Sequence, residues 1–327
     1  MIVFAKFLFV FLALVMVGLW VATFIISRNI ESQFPPVGEY KTINNAKFHF
    51  VDTGNKEQTD QPPVIFVHGA SGNLNDPLPV YSELLAEEMR LIFIDRPGQG
   101  YSEPFDGSND PVVQASSIAG LMDELKIEKA VVLGHSWGGA VASSFGVLYP
   151  EKTAGLVLVS PVTHPWPGAD VSWHFDVGNL PVIGWIFSNT LATPAGRLIY
   201  PGAIGRVFAP QKTPDDYQDS SATLLALRPS NFYENAKDVA RVYDHVTKFQ
   251  HRYKEITAPV HIYHGDVDDI VYAKVHSIDG LSKDIEGSKL TILEGVGHKP
   301  DYVARDQIAA SIRELVGIKA DQNLASQ

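Results

Sequence analysis

Gly134-His135-Ser136-Trp137-Gly138-Gly139 is the stretch whose residue types could do the most chemistry. A serine hydroxyl is a poor nucleophile near neutral pH unless a base takes its proton and a third group fixes that base's tautomer. This serine follows an apolar, β-branched run, Ala130-Val131-Val132-Leu133, and precedes Ala140 to Tyr149, which reads as helix. Gly-x-Ser-x-Gly between a strand and a helix is the context a nucleophile elbow requires. A side chain at Gly134 or Gly138 would crowd that strained turn. The turn holds the Ser136 hydroxyl at a helix N-terminus, where free N–H groups favour developing negative charge.

The base candidate is His298, which lies between Gly297 and Lys299-Pro300, outside any apolar periodicity. The acid comes from one loop that holds Asp266, Asp268 and Asp269. Asp266 directly follows a strand and suits a cap or turn, and Asp269 suits a solvated turn charge. Asp268 is preferred, with its two neighbours kept as alternatives. An oxyanion needs two N–H donors in place before reaction. One is expected from Trp137, just after the serine, and the other from the loop after Val64–Val67, at Ala70.

These groups need elements to position them. Val64–Val67, Leu91–Ile94, Ala130–Leu133, Gly155–Val159, Val260–Gly265 and Lys289–Leu293 are short apolar runs, and helical patterns separate them. The alternation predicts an α/β fold, a mostly parallel central sheet with helices on both faces. Ligands in such sheets sit at the carboxyl ends of the strands, where His68-Gly69, Asp95-Arg96 and Ser136 all fall. Tyr40 to Asp52 alternates and suggests a hairpin or paired edge strands. From 161 to 257 the alternation stops and aromatic residues accumulate, among them Trp166, Trp173, Phe175, Trp185, Phe187, Tyr200, Phe208, Phe232 and Tyr233. This reads as an inserted helical cap over the site, with most aromatics in its own core and a minority lining a pocket. Asn231-Phe232-Tyr233-Glu234 resembles a capping box that opens a helix to about Tyr253. The resulting layout is 1–30 membrane anchor, 31–160 and 258–318 catalytic core, 161–257 cap and 319–327 polar tail.

Phe7 to Ile26 is apolar apart from Gly18 and Thr23. Twenty such residues rise about 30 Å as a helix, the thickness of a bilayer core. The run is long for a signal peptide and ends without a small-x-small cleavage site, so it reads as an uncleaved single-pass anchor. Lys6 ahead of the run favours a catalytic domain on the extracytoplasmic side. Glu31 to Gly38, with Pro35-Pro36, reads as a short stiff linker. The 327 residues include no cysteine, which excludes disulfides, thiol catalysis, cysteine metal sites and lipidated cysteine anchors. The net charge of −11 and the lack of a basic block argue against nucleic acid as a partner.

Other residues have plainer roles. Asp95 and Arg96 read as a structural pair that holds the loop around Gly98 and Gly100. His135 reads as a packing residue. His261 and His264 lie three apart on a strand, on opposite faces, so they cannot share a metal. His164, His174, His245 and His251 form no ligand pattern. No metal or organic cofactor is expected, because Ser–His–Asp chemistry needs none.

His68-Gly69, Asp95-Arg96-Pro97-Gly98-Gln99-Gly100-Tyr101-Ser102, the Gly134–Gly139 stretch, Gly265-Asp266-Val267-Asp268 and Gly297-His298 together resemble the capped α/β-hydrolase fold enzymes. That group includes esterases, lipases, C–C bond hydrolases and cofactor-free haloperoxidases. The resemblance spans about Tyr40 to Val316. It implies Ser136, Asp268 and His298 as triad, because the acid of the family's Gly-x-x-Asp loop aligns with Asp268. Serine at the elbow, in place of aspartate, speaks against the haloalkane dehalogenase and epoxide hydrolase branches. The expected activity is hydrolysis of a carboxylic ester, lactone or thioester that carries a hydrophobic group. C–C bond hydrolysis or perhydrolysis on the same triad is the second reading. A membrane-tethered binding protein on a hydrolase scaffold is the third.

Overall fold

The computed structural model describes residues 2–58, 60–169 and 171–318. Helix α1 (Ile2–Gln33) leads into the hairpin β1 (Glu39–Ile43) and β2 (Ala46–Gly54). Asn44 and Asn45 turn this hairpin with φ of 53° and 61°, the left-handed pair that a two-residue hairpin loop requires. Strands and helices then alternate: β3 (Val64–Val67), α2 (Leu78–Leu85), β4 (Arg90–Ile94), α3 (Pro111–Glu124), β5 (Ala130–His135), α4 (Trp137–Leu148) and β6 (Thr153–Val159). The helices α5 (Trp173–Asn179), α6 (Pro181–Phe187), α7 (Thr193–Phe208), α8 (Tyr217–Ser220) and α9 (Pro229–Phe249) follow. Then β7 (Val260–Gly265), α10 (Ser282–Asp284), β8 (Lys289–Leu293), α11 (Pro300–Val303) and α12 (Arg305–Val316) complete the described chain.

The eight strands form one sheet in the order β1-β2-β4-β3-β5-β6-β7-β8. The pairs β1–β2 and β2–β4 are antiparallel, and every other pair is parallel. Side chains alternate across the sheet as the two-residue period demands. Ile65, Val67, Ile92, Ile94 and Val132 pack on one face with Ile118, Met122 and Phe145 from α3 and α4. Val64, Phe66, Leu91, Phe93 and Val131 pack on the other with Tyr81 and Leu85 of α2 and Ile308 and Ile312 of α12. The α/β architecture with a helical insertion between β6 and β7 is therefore present.

Two local expectations do not hold. The helix expected to open on a capping box at Asn231 starts two residues earlier, with Arg228 as N-cap and Pro229 in the first turn. Proline's fixed φ suits the first helical position and sets the start there. Asn231 instead points its amide at the carbonyls of Gly98 and Gly100. The second correction concerns 31–38. The helix runs on to Gln33, so only its last part is linker, and the boundary at residue 30 falls inside a packed segment. Ile30 is fully buried among Leu224, Leu225 and Leu227, with Ile26 and Phe34 against the same cluster. The polar tail expected at 319–327 lies outside the described residues.

Ile30→Ala should therefore cost about 2–5 kcal/mol, as for other buried large-to-small changes. Urea titration of the full chain in detergent micelles, followed by tryptophan emission, measures it. A loss below about 0.5 kcal/mol, the scale of a surface change, would show that the end of α1 is not docked.

Candidate active site

The turn between β5 and α4 is made by close backbone contact. A Cβ at Gly134 would sit 2.4 Å from the Gly138 carbonyl oxygen, and one at Gly138 would sit 2.3 Å from that of Val67. Only glycine at both positions lets the helix fold back onto the strand. Ser136, between them, has φ 53° and ψ −119°, a strained conformation for a side-chain-bearing residue.

Two other strand ends deliver partners to it. His298 Nε2 lies 3.0 Å from Ser136 Oγ, and His298 Nδ1 lies 2.7 Å from Asp268 Oδ2. Asp268 Oδ1 accepts the backbone N–H groups of Ile270 and Val271, each at 2.9 Å. Burial opposes ionisation of this carboxyl, but His298 and the hydrogen bonds from His264 and His298 outweigh it and hold it well below its ordinary range. The two neighbouring acids are elsewhere. Asp266 accepts the Gly295 N–H, and Asp269 is exposed beside Arg206. Ala70 and Trp137 both line the cavity in front of Ser136. The loop before Ala70 passes close to the serine, since a Cβ on Gly69 would lie 3.0 Å from Ser136 Cβ.

Several supporting residues were not legible as such. His264, on the opposite face of β7 from His261, places Nε2 3.2 Å from Asp268 Oδ2 and 2.8 Å from the Val271 carbonyl. His135 is more than packing: its Nε2 meets the His298 carbonyl at 2.9 Å and so holds the backbone of His298. Lys299, next to His298, is buried between Asp76 and Asp301 at 2.9 and 2.8 Å. Asp95 and Arg96 do not pair with each other, because successive residues at a strand end point to opposite sides. Asp95 accepts the N–H groups of Leu74 and Tyr101 and contacts His49 Nδ1. Arg96 donates to the carbonyls of His68 and Gly69 at 3.0 and 3.1 Å, stacks 4.1 Å over Trp137, and pairs with Asp238 of α9 at 2.8 Å. Trp137 Nε1 donates to the Asp238 carbonyl. One guanidinium thus ties the loop before Ala70, the residue after the serine, and the cap.

The cavity has a volume of about 950 Å³. Six of the nine cap aromatics singled out above line it: Trp166, Trp173, Phe175, Phe187, Tyr200 and Phe232. The expectation that only a minority would do so is corrected. Trp173, Phe175, Phe187 and Phe232 also pack on one another, so the same rings form part of the cap's interior and the wall of the cavity. The arrangement can activate a hydroxyl, hold an imidazole in one tautomer and surround an apolar group.

Comparisons with known proteins agree with this architecture. A profile of the family described as alpha/beta hydrolase fold matches residues 62–300. The 2-hydroxy-6-oxo-6-phenylhexa-2,4-dienoate hydrolase of Burkholderia cepacia is 31% identical over 140 residues, 42% of this chain and 47% of that protein. The chain spans 32 to 47% of the length of the first curated relatives it matches. Among solved structures, a thermophilic esterase from Thermogutta terrifontis aligns with TM-score 0.66 and 21% identity over 84% of this chain and 96% of that one. A membrane phospholipase A, described as a bacterial virulence factor, aligns with TM-score 0.67 and 18% identity over 96% of this chain and 98% of that one. At these identities the two structures are similar in fold.

Two stability predictions come from the buried charges. Burial pushes the Asp238 carboxyl above its ordinary range even with Arg96 beside it. Arg96→Met should cost about 3–5 kcal/mol by stranding that carboxylate, and Asp238→Asn added to it should recover part. Denaturant midpoints of the two variants test this, and no recovery in the double variant would overturn it. The second concerns pH. Burial, with Arg96, Lys299 and His264 respectively, pushes His68 down from 6.5 to about 3, His135 to about 4 and His276 to about 3. Above pH 6.5 both folded and unfolded forms leave these rings neutral, and stability is full. As pH falls from 6.5 towards 4 the unfolded chain binds protons that the folded sites refuse. Stability then drops by up to about 1.4 kcal/mol per pH unit for each ring. Asp268 adds to the loss below pH 3.8, and the raised Asp238 opposes it by one proton. Urea midpoints that stay flat between pH 7.5 and 5 would contradict this.

Proposed function

The chain belongs to the alpha/beta hydrolase fold family, and we propose that within it the protein is a serine hydrolase of carboxylic esters that carry a hydrophobic group. The observation that supports this reading is the unbroken hydrogen-bond series from Asp268 through His298 to Ser136. His298 takes the proton of Ser136 as the hydroxyl attacks the ester carbonyl. The N–H groups of Ala70 and Trp137 receive the negative oxygen. The protonated His298 then gives its proton to the departing alcohol, and an acyl-serine remains. Water, deprotonated by the same imidazole, releases the acid and restores the serine. Asp268 keeps the proton on Nδ1 and stabilises the imidazolium. The apolar lining from Trp166, Phe187 and Phe232 suits a hydrophobic acyl or alcohol group.

The same reading takes α1 as an uncleaved membrane anchor with the catalytic domain on the extracytoplasmic side. Helix α1 is long and apolar enough to cross a membrane. The burial of Ile30 in the cap favours an anchor that stays attached over a signal that is removed.

A fluorophosphonate probe should label the full chain and fail on Ser136→Ala, and that variant should lose on the order of 10⁴ or more in kcat. Asp268→Asn should cost on the order of 10³–10⁴, and Asp266→Asn little. A panel of p-nitrophenyl esters of rising chain length supplies the substrate. Turnover of a meta-cleavage diketone with no ester hydrolysis would reassign the site to C–C cleavage. Absence of labelling on well-folded protein would favour a binder.

A further inference from the structure

The outer face of the cap is unlike the surface of a soluble domain. Leu198 is 84% exposed, Val182 70%, Trp173 67%, Ile183 58% and Trp185 56%. These residues sit on α5, α6 and α7, neighbouring elements of one insertion. From 171 to 208 the only charged residues are Asp176, Arg197 and Arg206, in a chain whose net charge is −11. Contiguous apolar surface of this kind needs a cover.

Helix α1 identifies the cover. Its side chains are almost wholly exposed from Val3 to Ala22, roughly 20 residues and about 30 Å of helix, one bilayer core. The first buried residue, Thr23, donates from Oγ1 to the carbonyl of Thr190 at 2.7 Å. Thr190 lies between α6 and α7, in the middle of the apolar face. The helix therefore meets the cap where the hydrocarbon would end, and the exposed residues flank that point. Trp173 and Trp185 are exposed on α5 and α6, and Trp20 is exposed three residues ahead of Thr23 on α1; indole rings favour the membrane–water boundary. The cavity reaches this face as well. Trp173, Leu191, Ile199 and Ala203 are exposed on the outside and also line the space that contains Ser136 and His298.

We propose that α5, α6 and α7 seat in the leaflet from which α1 emerges, and that the cavity takes its substrate, the acyl ester of a bilayer lipid, directly from that leaflet. The substrate half of this rests on the ester-hydrolase reading above, and the docking half does not. An acyl chain entering between Leu191 and Ile199 moves from hydrocarbon to an apolar cavity, without crossing water. The buried face adds to the hold of the single helix, because interfacial binding grows with apolar area.

The absence of native cysteine allows the test on the full chain. Ile183→Cys and Leu198→Cys, each with a nitroxide label, are reconstituted in phosphatidylcholine vesicles containing phosphatidylglycerol. The labels should be open to oxygen and shielded from a water-soluble nickel chelate, as at Val10→Cys in α1. Accessibility like that of Glu87→Cys, on the soluble domain, would overturn the docking. In the same vesicles, Ile183→Lys with Leu198→Lys should lower hydrolysis of the vesicle phospholipid roughly tenfold or more. Hydrolysis of p-nitrophenyl butyrate should be unchanged, since neither residue lines the cavity. Equal phospholipid hydrolysis by both proteins would overturn uptake from the leaflet. If the unaltered chain cleaves neither ester, the hydrolase reading fails, while the label accessibilities still decide the docking.

Discussion

A carboxylate sealed inside a protein must be surrounded by donors or it will neutralise. Asp268 meets that demand with two backbone N–H groups, His298 and His264. Its two oxygens divide the work: one is occupied by the chain that follows β7, and the other faces the imidazoles. The loop geometry after β7 and the direction of the His298 ring are thus set by the same ionised group. With His298 oriented, its other nitrogen reaches Ser136, whose own position is fixed by the glycine contacts of the elbow. Remove the charge on Asp268 and the tautomer, the ring orientation and the loop lose their common reference.

Arg96 has a parallel role on the other side of the serine. Two of its bonds hold the carbonyls before Ala70, its plane lies on Trp137, and its charge is matched by Asp238 from the cap. A buried ion pair of this kind contributes little net stability, because desolvation consumes most of the attraction. It does fix geometry: α9 cannot shift without disturbing the residues that flank the serine. Asn231 and its N-cap neighbour Arg228 extend the tie, donating from the start of α9 to carbonyls of the Gly98–Gly100 loop. Cap and core therefore share one set of polar contacts in front of an apolar cavity.

Much of this is legible in the amino-acid sequence, and the reasons are specific. Parallel strands buried on both faces leave continuous apolar runs, so β3 to β7 stand out, and their carboxyl ends indicate where ligands gather. The elbow glycines are readable because a tight turn excludes side chains. Other features depend on pairings across the chain that no local pattern encodes. Arg96 and Asp238 are separated by 142 positions, and nothing near Arg96 names its partner. His264 looks like any strand histidine until the chain after β7 curls back beneath it. Three acids in four residues have the same composition whichever one turns inward. The end of α1 failed for another reason: an apolar run looks the same whether lipid or protein covers it, so the docking of Ile30 was invisible.

The directionality of the sheet leaves a second rim almost without duties. Among the described residues, the turns ahead of the parallel strands, at 55–58, 60–63, 128–129 and 286–288, lie at the end away from Ser136 and lend it no side chain. Mutational drift at that end can adjust solubility and melting behaviour without altering the chemistry opposite. Those turns are accordingly the places to splice in an epitope or reporter, and the places where divergence among relatives should accumulate fastest.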